Sequence, residues 1–347
     1  MRRLTLILSD LYLPDDPGPE ELAALSEQAG LVAMPHLEWL LRFARHERID
    51  DWRAQLAAQA GDAGFTRDGL ARFAAAGRVP PDRLAGSWLA TPVQLEARLD
   101  HVRLARRGLL RIALEERLAW CDEFARSFGP ELVLHDAGAR GFLLTGLEAR
   151  GVMSIDPARV LGADIAASLP RDRPEGGQAA KLRRLSAEIE MWLHGAVLNR
   201  EREKMQVARI SSLWLWGGGH GADPGPLPRR DDCAYAGEDP WFAALARAQT
   251  GRDAQPAPAR YTAIASDAPH RVVELAPVSD ASLDLASLDA QWFGPARAAL
   301  GSGALGALEI LLNDTRFLVR RRSSWRFWRR AGHWMEQLRR CRPAAQA

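Results

Sequence analysis

The chain has 347 residues, 47% of them hydrophobic, and a formal net charge of +2. This composition predicts a globular protein with a sizeable core, and the small net charge argues against a general attraction to nucleic acid or anionic membranes. The apolar N-terminal run stops at Ser9-Asp10, and no run approaches the roughly 20 apolar residues of a membrane-spanning helix. Three cysteines without paired spacing predict neither disulfides nor a zinc site, so we expect a cytoplasmic protein.

Hydrophobic periodicity predicts a mostly helical first third. Residues 4–8 favour a strand, and helices are predicted over residues 20–29, 36–46, 51–60 and 70–76. The middle of the chain then favours strands over residues 87–90, 101–104, 132–134 and 141–145, around a helix over 114–128.

The last third is predicted to contain a strand over 271–278, a helix over 283–300, and a hairpin of strands 307–312 and 317–322 around Asn313-Asp314 at a sheet edge. The elements together predict an α/β protein of mixed α+β character. Its central mixed sheet is flanked by helices, with a helical N-terminal third and a C-terminal β-hairpin. The predicted segments are a core over 1–220, a Gly/Pro-rich flap or linker with one helix over 221–260, a strand-helix-hairpin over 261–342 that completes the core, and a tail over 343–347.

Residues 186–219 carry the most specific pattern in the chain. A helix face formed by Leu182, Leu185, Ile189, Trp192 and Ala196 precedes a strand over 210–216 whose apolar residues favour burial on both faces. The strand ends at Gly217, Gly218 and Gly219, which fit either close contact of backbone amides with a ligand or a tight turn beside a core strand. The loop that follows matches neither a P-loop nor a dinucleotide-binding motif.

Three polar residues near the helix end are ligand-binding candidates. Asn199 and Arg202 would suit a carboxylate or phosphate, and the alternative for them is a helix C-cap and a surface salt bridge. His194 most simply forms a pair with Glu190 one turn earlier, and ligand binding is its alternative role.

The C-terminal region is rich in arginine and tryptophan. Arg321, Trp325, Arg326 and Trp328 are candidates for an interaction surface, although the same residues would also suit the cover of a sheet. A protein partner is an open alternative for this end, and we expect nucleic acid to be unlikely, because no other part of the sequence supports nucleic-acid binding.

The order Glu-Ile-Glu-Met-Trp-Leu-His, Asn199, Arg202 and Ser-Leu-Trp-Leu-Trp-Gly-Gly-Gly resembles the bacterial RpfE-type regulatory proteins. These are related in pattern to archaeal-type cofactor-independent phosphoglycerate mutases. Further landmarks are Asp156-Pro157, the helix start at Asp239-Pro240-Trp241 and the closing Trp-Arg-Phe-Trp-Arg-Arg. The chain departs from the pattern in two places. Gln94 stands where the family's Asp-Pro-Val-His-Leu run carries a histidine, and the aspartate of that run is missing as well. The family's His-Pro before the asparagine is also missing, because Ala196 and Val197 precede Leu198 and Asn199.

The resemblance implies a superfamily that uses two divalent metals and a serine or threonine nucleophile. Asp10 ends the first predicted strand, roughly where that superfamily has its first metal aspartate, but the eight histidines are scattered and form no ligand motif. We therefore expect no metal or other cofactor, and manganese or another divalent ion only if the chain is an enzyme.

The resulting hypothesis is a cytoplasmic regulatory or ligand-sensing protein on a degenerate phosphoglycerate-mutase-like scaffold, without two-metal catalysis. Its ligand is expected to be a small phosphorylated or carboxylate compound. The alternatives are a divergent phosphoglycerate mutase or phosphatase, and an interaction scaffold that uses the arginine- and tryptophan-rich end.

Overall fold

The computed structural model describes residues 2–11, 33–62, 65–219, 225–264, 267–275, 285–321, 323 and 333–340. The strands are β1 (Arg3–Leu8), β2 (Arg45–Arg48), β3 (Trp88–Ala97), β4 (Val102–Leu109), β5 (Val133–Asp136), β6 (Phe142–Thr145), β7 (Val152–Met153), β8 (Arg171–Asp172), β9 (Ser212–Trp216), β10 (Cys233–Ala236), β11 (His270–Glu274), β12 (Ala307–Leu312) and β13 (Thr315–Arg320). The helices are α1 (Pro35–Phe43), α2 (Trp52–Ala60), α3 (Leu70–Ala75), α4 (Leu114–Phe128), α5 (Ala179–Gly195), α6 (Val197–Lys204), α7 (Pro240–Thr250), α8 (Leu285–Leu288), α9 (Gly294–Ser302) and α10 (Trp334–Arg340). The predicted helix over 20–29 lies outside the described residues.

The chain forms two compact units. Unit 1 contains Met1–Leu56, Arg230–Gly237 and Gln255–Ala347, and unit 2 contains Ala57–Arg229 and Glu238–Ala254. The chain leaves unit 1 after its first strands and returns to it at β10. The segments predicted from the sequence stay a prediction.

Unit 1 is built on a six-stranded mixed sheet in the order β10-β11-β1-β12-β13-β2. The first four strands are parallel, and β13 pairs antiparallel with both β12 and β2. One face of the sheet is apolar and packs with helices α1, α9 and α10 into a core that includes Leu6, Ile310 and Phe317. The mixed sheet flanked by helices and the C-terminal hairpin are therefore confirmed.

Two sequence predictions in unit 1 are wrong. The helix predicted over 36–46 ends at Phe43, because Ala44 is extended and residues Arg45–Arg48 form β2. This strand pairs with β13, so the hairpin does not lie at the sheet edge. All four residues of β2 are exposed and polar, which is how natural sheets protect an edge from aggregation, and which leaves no apolar alternation for a sequence to reveal.

Unit 2 contains a second sheet, in which the long strand β3 pairs antiparallel with β4, β6 and β9, and β5 pairs with β6. Helices α4 and α5 cover it through apolar side chains such as Phe124 and Ile189. Strand β9 is buried over its whole length, as predicted. The predicted start of α7 is also confirmed, because the Asp239 side chain accepts a hydrogen bond of 3.0 Å from the backbone N–H of Phe242. No helix within the described ranges is long and apolar enough to cross a membrane.

Candidate functional site

Asn199 joins three backbone groups in unit 2. It lies within α6 and its side chain is 1% exposed, so the C-cap interpretation is wrong. Its Nδ2 donates to Leu193 O at 2.8 Å and to Ile210 O at 2.9 Å, while its Oδ1 accepts from Ile210 N at 2.9 Å. The amide thus ties the end of α5 to the residue before β9, and both its donor and acceptor groups serve the fold.

The Arg202 side chain is also buried. It is 3% exposed, and its NH1 contacts both carboxylate oxygens of Glu116 at 2.7 and 2.8 Å. Its Nε donates to Ala208 O at 2.6 Å. The interpretation of a surface salt bridge is wrong, because Arg202 is buried and pairs with the partly buried Glu116 between α4 and α6. The guanidinium is already used by partners within unit 2.

His194 is exposed at the end of α5, and the described contacts include no ion pair with Glu190. Glu190 points instead toward the sheet. Burial raises the pKa of its carboxyl group, and a hydrogen bond with the Ser212 side chain opposes that rise. The predicted His194–Glu190 pair is therefore absent from the described contacts, and the predicted ligand role of His194 stays a prediction.

The three glycines form a tightly packed turn. Gly217 has a φ of +64°, its N–H donates to Ser154 Oγ at 3.1 Å, and its carbonyl accepts from Ala71 N at 2.8 Å. A Cβ on Gly218 would overlap the Trp88 indole and lie 2.5 Å from Ser87 O. These contacts explain two of the glycines by packing alone.

Gly219 borders an ion pair. It has a φ of +128°, and a Cβ there would lie 3.6 Å from Cβ of Asp68, whose carboxylate pairs with Arg173. Burial raises the pKa of Asp68 and Arg173 opposes the rise. The charged groups beside the turn are thus already paired with each other, and ligand contact by the glycines stays a prediction.

The predicted interaction surface is described only in part. Arg321 is exposed just beyond β13, and one of its terminal nitrogens lies 3.1 Å from the position a Cβ would take on Gly303. The other three candidates, Trp325, Arg326 and Trp328, lie outside the described residues.

A group of buried polar residues lies at the carboxyl ends of the unit 1 strands, and no sequence pattern grouped these residues. We call it the carboxyl-edge cluster, and its members are 1–6% exposed: Ser9, Asp10, Asp51, Arg53, Glu274 and Asn313. Three backbone hydrogen bonds align the strand ends that carry it: Leu275 N to Ile7 O at 3.0 Å, Asn313 N to Leu8 O at 3.3 Å, and Ile49 N to Asp314 O at 2.8 Å. Ligands of open α/β sheets bind outside this end of the strands.

Three members of the carboxyl-edge cluster define its chemistry. Asp51 Oδ1 accepts from the Arg53 backbone N–H at 2.7 Å and lies 3.9 Å from the Arg53 guanidinium. Asn313 has a φ of +52°, and its buried Oδ1 has no hydrogen-bond donor among the described residues. A buried acceptor without a donor is costly, and this atom is enclosed within the turn with one hydrogen bond unmade.

A polar row also crosses the face of the unit 1 sheet opposite its apolar core. The Cys233 thiol lies 3.5 Å from His270 Nδ1, His270 Nε2 lies 3.1 Å from Thr5 Oγ1, and Thr5 donates to Glu309 at 2.9 Å. Since the Thr5 hydroxyl donates to Glu309, the imidazole Nε2 is assigned as the donor to Thr5. Arg3 and Arg316 contact Glu309 at 2.6 and 2.5 Å.

Burial keeps Cys233 and His270, at one end of this row, uncharged. It raises the pKa of Cys233 to about 11 and lowers that of His270 to about 4, so the pair is thiol and imidazole rather than thiolate and imidazolium at neutral pH. Burial acts to raise the pKa of Glu309, but Arg3 and Arg316 outweigh it and hold that pKa below its ordinary range. The row therefore consists of a neutral pair and a compensated carboxylate, which suits a structural role.

The donor set required for two-metal chemistry does not fit the described residues. Within those ranges, no three His, Cys, Asp or Glu side chains form a group that could hold a metal ion. Asp10 does lie at the carboxyl edge, but three or four convergent ligands are needed for such a site.

Comparison with known proteins gives limited similarity. No protein-family model matches the chain, and no curated protein sequence does, so membership of the RpfE-type family is not shown. One similar solved structure is the cofactor-independent phosphoglycerate mutase from Thermoplasma acidophilum, with 16% identity, a TM-score of 0.39, and coverage of 92% of this chain and 89% of that chain. Another is the PH0037 protein from Pyrococcus horikoshii, with 16% identity, a TM-score of 0.43, and coverage of 92% and 87%. At these TM-scores the likeness carries no argument about function.

Proposed function

We propose that the chain is a cytoplasmic regulatory or ligand-sensing protein that binds a small phosphorylated or carboxylate compound at the carboxyl-edge cluster, without two-metal catalysis. The observation that carries the proposal is the buried Asn313 Oδ1, which has no donor among the described residues. A bound hydroxyl or amine group would supply that donor on opening of the turn that encloses the atom.

The composition of the cluster supports a ligand with both an anionic group and a donor. Arg53 is its guanidinium member and offers the planar geometry that carboxylates and phosphates accept, with Asp51 beside it at 3.9 Å. Asp10 and Glu274 add carboxylate acceptors, 6% and 1% exposed. A hydroxylated small acid would use Arg53 for its anion and Asn313 or a carboxylate for its hydroxyl group.

A divergent phosphoglycerate mutase or phosphatase is the alternative, and Asp10 is the observation that favours it. Its position two residues after β1 is the one that the sequence resemblance roughly associates with a first metal ligand. The described residues supply no complete metal-binding group with it, which supports binding over turnover as the primary proposal.

The test combines binding and turnover on the full chain. Isothermal titration calorimetry with 2- and 3-phosphoglycerate, followed by a mutase assay with added Mn²⁺, distinguishes the two functions. Saturable binding without interconversion is expected. Interconversion would favour the alternative, and the absence of binding by either compound would contradict ligand sensing of this class.

The chain offers a matched pair of variants for the titration. Asn313→Gly removes the unpartnered oxygen at a positive φ, and Gln206→Gly makes the same kind of backbone change at an exposed residue with a φ of +57°. We expect only Asn313→Gly to weaken binding, by about tenfold. Equal affinities in the two variants would remove Asn313 from the site.

A further inference from the structure

Arg271 occupies an unusual position in unit 1. It is the second residue of β11, and its cross-strand neighbours are Leu4 on β1 and Ala234 on β10. The residue is 8% exposed and lies on the apolar side of the sheet, the side to which Leu4 contributes. A guanidinium group at such a position loses most of its hydration and gains nothing from its two strand neighbours.

The other buried arginines of the described chain all have carboxylate partners. Arg53 lies 3.9 Å from Asp51, Arg117 lies 2.6 Å from Asp136, and Arg202 lies 2.7 Å from Glu116. Among the described residues, Arg271 has neither an ion pair nor a side-chain hydrogen bond, and its Nε is buried without an acceptor. Its guanidinium carbon is 5.9 Å from the centroid of the Tyr261 ring, which is its one close aromatic contact in the described chain.

This environment is suited to an external anion. A buried guanidinium without an anion is costly, because the low local dielectric that strengthens an ion pair also penalises an isolated charge. The terminal nitrogens of Arg271 are not among the fully buried unbonded atoms, so they keep access to solvent. The partly exposed Tyr261 ring, in the turn Tyr261–Ala263, provides a flat cation–π surface on one side of the guanidinium.

We propose that Arg271 and Tyr261 form a binding site for an oxyanion, a carboxylate or a phosphate group, that accepts paired hydrogen bonds from the guanidinium. The geometry of the planar fork selects two oxygens of one group, which a halide cannot provide. Arg271 shares strand β11 with Glu274 of the carboxyl-edge cluster but lies near the opposite end of the strand, and the site does not depend on the function proposed for that cluster.

The test measures thermal unfolding of the full chain in inorganic phosphate, in acetate and in sodium chloride at equal ionic strength. We expect the wild-type melting temperature to rise saturably with phosphate or acetate, relative to chloride. A response to phosphate alone would assign a phosphate group, and a response to both would assign a general oxyanion site. If neither anion acts differently from chloride, the proposal is overturned.

Arg271→Met removes the guanidinium but keeps an apolar stem of similar length. We expect the apparent Kd for phosphate to rise at least about tenfold, because charge-assisted hydrogen bonds are lost. Arg45→Met is the matched control, since Arg45 is an exposed arginine of the same unit, and it should respond as the wild type does. An unchanged phosphate response in Arg271→Met would overturn the proposal.

The stability of the variant in chloride separates binding from a structural role. Replacing an unpaired buried cation by an apolar side chain should leave the melting temperature in chloride unchanged or higher. A large decrease would contradict the proposal and indicate an internal role for Arg271. Arg271→Lys keeps the charge and loses the fork, so it should fold and bind phosphate more weakly than the wild type. Wild-type affinity in this variant would refute recognition by paired hydrogen bonds.

Discussion

Replacing Arg202 by methionine should destabilise the protein without a direct effect on any ligand. The change deletes the contacts of 2.7 and 2.8 Å to Glu116 and the 2.6 Å hydrogen bond to Ala208 O, all made by a residue that is 3% exposed. Removing one partner of a buried pair costs about 3–5 kcal/mol. The Glu116 side chain is 22% exposed and accepts a further hydrogen bond from Trp120, so part of its charge stays solvated. We therefore expect the free energy of unfolding to fall by about 2–4 kcal/mol.

Urea unfolding, followed by circular dichroism, gives the assay, with the midpoint and slope fitted separately. Arg209→Met is the control, because its pair with Glu203 is exposed and should contribute less than about 1 kcal/mol. Adding Glu116→Gln to Arg202→Met should recover part of the loss, since it removes the orphaned charge. A loss below about 1 kcal/mol for Arg202→Met, or an unchanged stability with loss of ligand effects, would refute this account of the residue.

Three further changes test other parts of the structure. His270 has a pKa of about 4 in the folded protein and about 6.5 in the unfolded chain, so the unfolded chain takes up the proton first as the pH falls. The free energy of unfolding should therefore fall by up to about 3 kcal/mol between pH 6.5 and 4. His270→Gln should remove that part of the pH dependence of chemical unfolding, and a pH profile identical to that of the wild type would contradict this explanation. Gly218→Ala should cost about 1–3 kcal/mol through overlap with Trp88, whereas Gly225→Ala, which meets open space, should be neutral in the same denaturation assay. Asn199→Ala should lower the melting temperature through three lost buried hydrogen bonds, and a temperature within a degree or so of the wild type would show that those groups find other partners.

Local patterns in the sequence predict many of the elements well. The helix over 114–128 and the strand over 307–312 agree with the structure at both ends, because each has a strong periodicity and clear boundaries. The turn at Asn313 was also predictable, since asparagine tolerates the left-handed conformation that its φ of +52° requires. By contrast, β2 consists of exposed polar residues and has no local signal, because its pairing with β13 alone makes it a strand.

The candidate sites depend on contacts between distant parts of the chain. Arg202 and Glu116 are 86 positions apart, so the local sequence around Arg202 shows a free arginine near a helix end and not a buried pair. The sequence places Asp10 at the end of its strand, but its association with Glu274 and Asn313 follows from the parallel order of β11, β1 and β12. A polar residue after the predicted strand was the available signal for Asp10 and Asn313, whereas Glu274 lies inside the strand predicted over 271–278. Arg271 has no such signal, since the missing partner of a buried charge is visible only in three dimensions.

Metal content of the natively purified full chain tests the central claim most directly, because ligand sensing without two-metal catalysis requires no bound divalent ion. Elemental analysis for Mn, Zn, Mg and Fe should find well below one ion per chain, in accord with the absence of a metal-binding group among the described residues. Stoichiometric metal, at about two ions per chain, would contradict the account and make phosphoryl transfer the leading function.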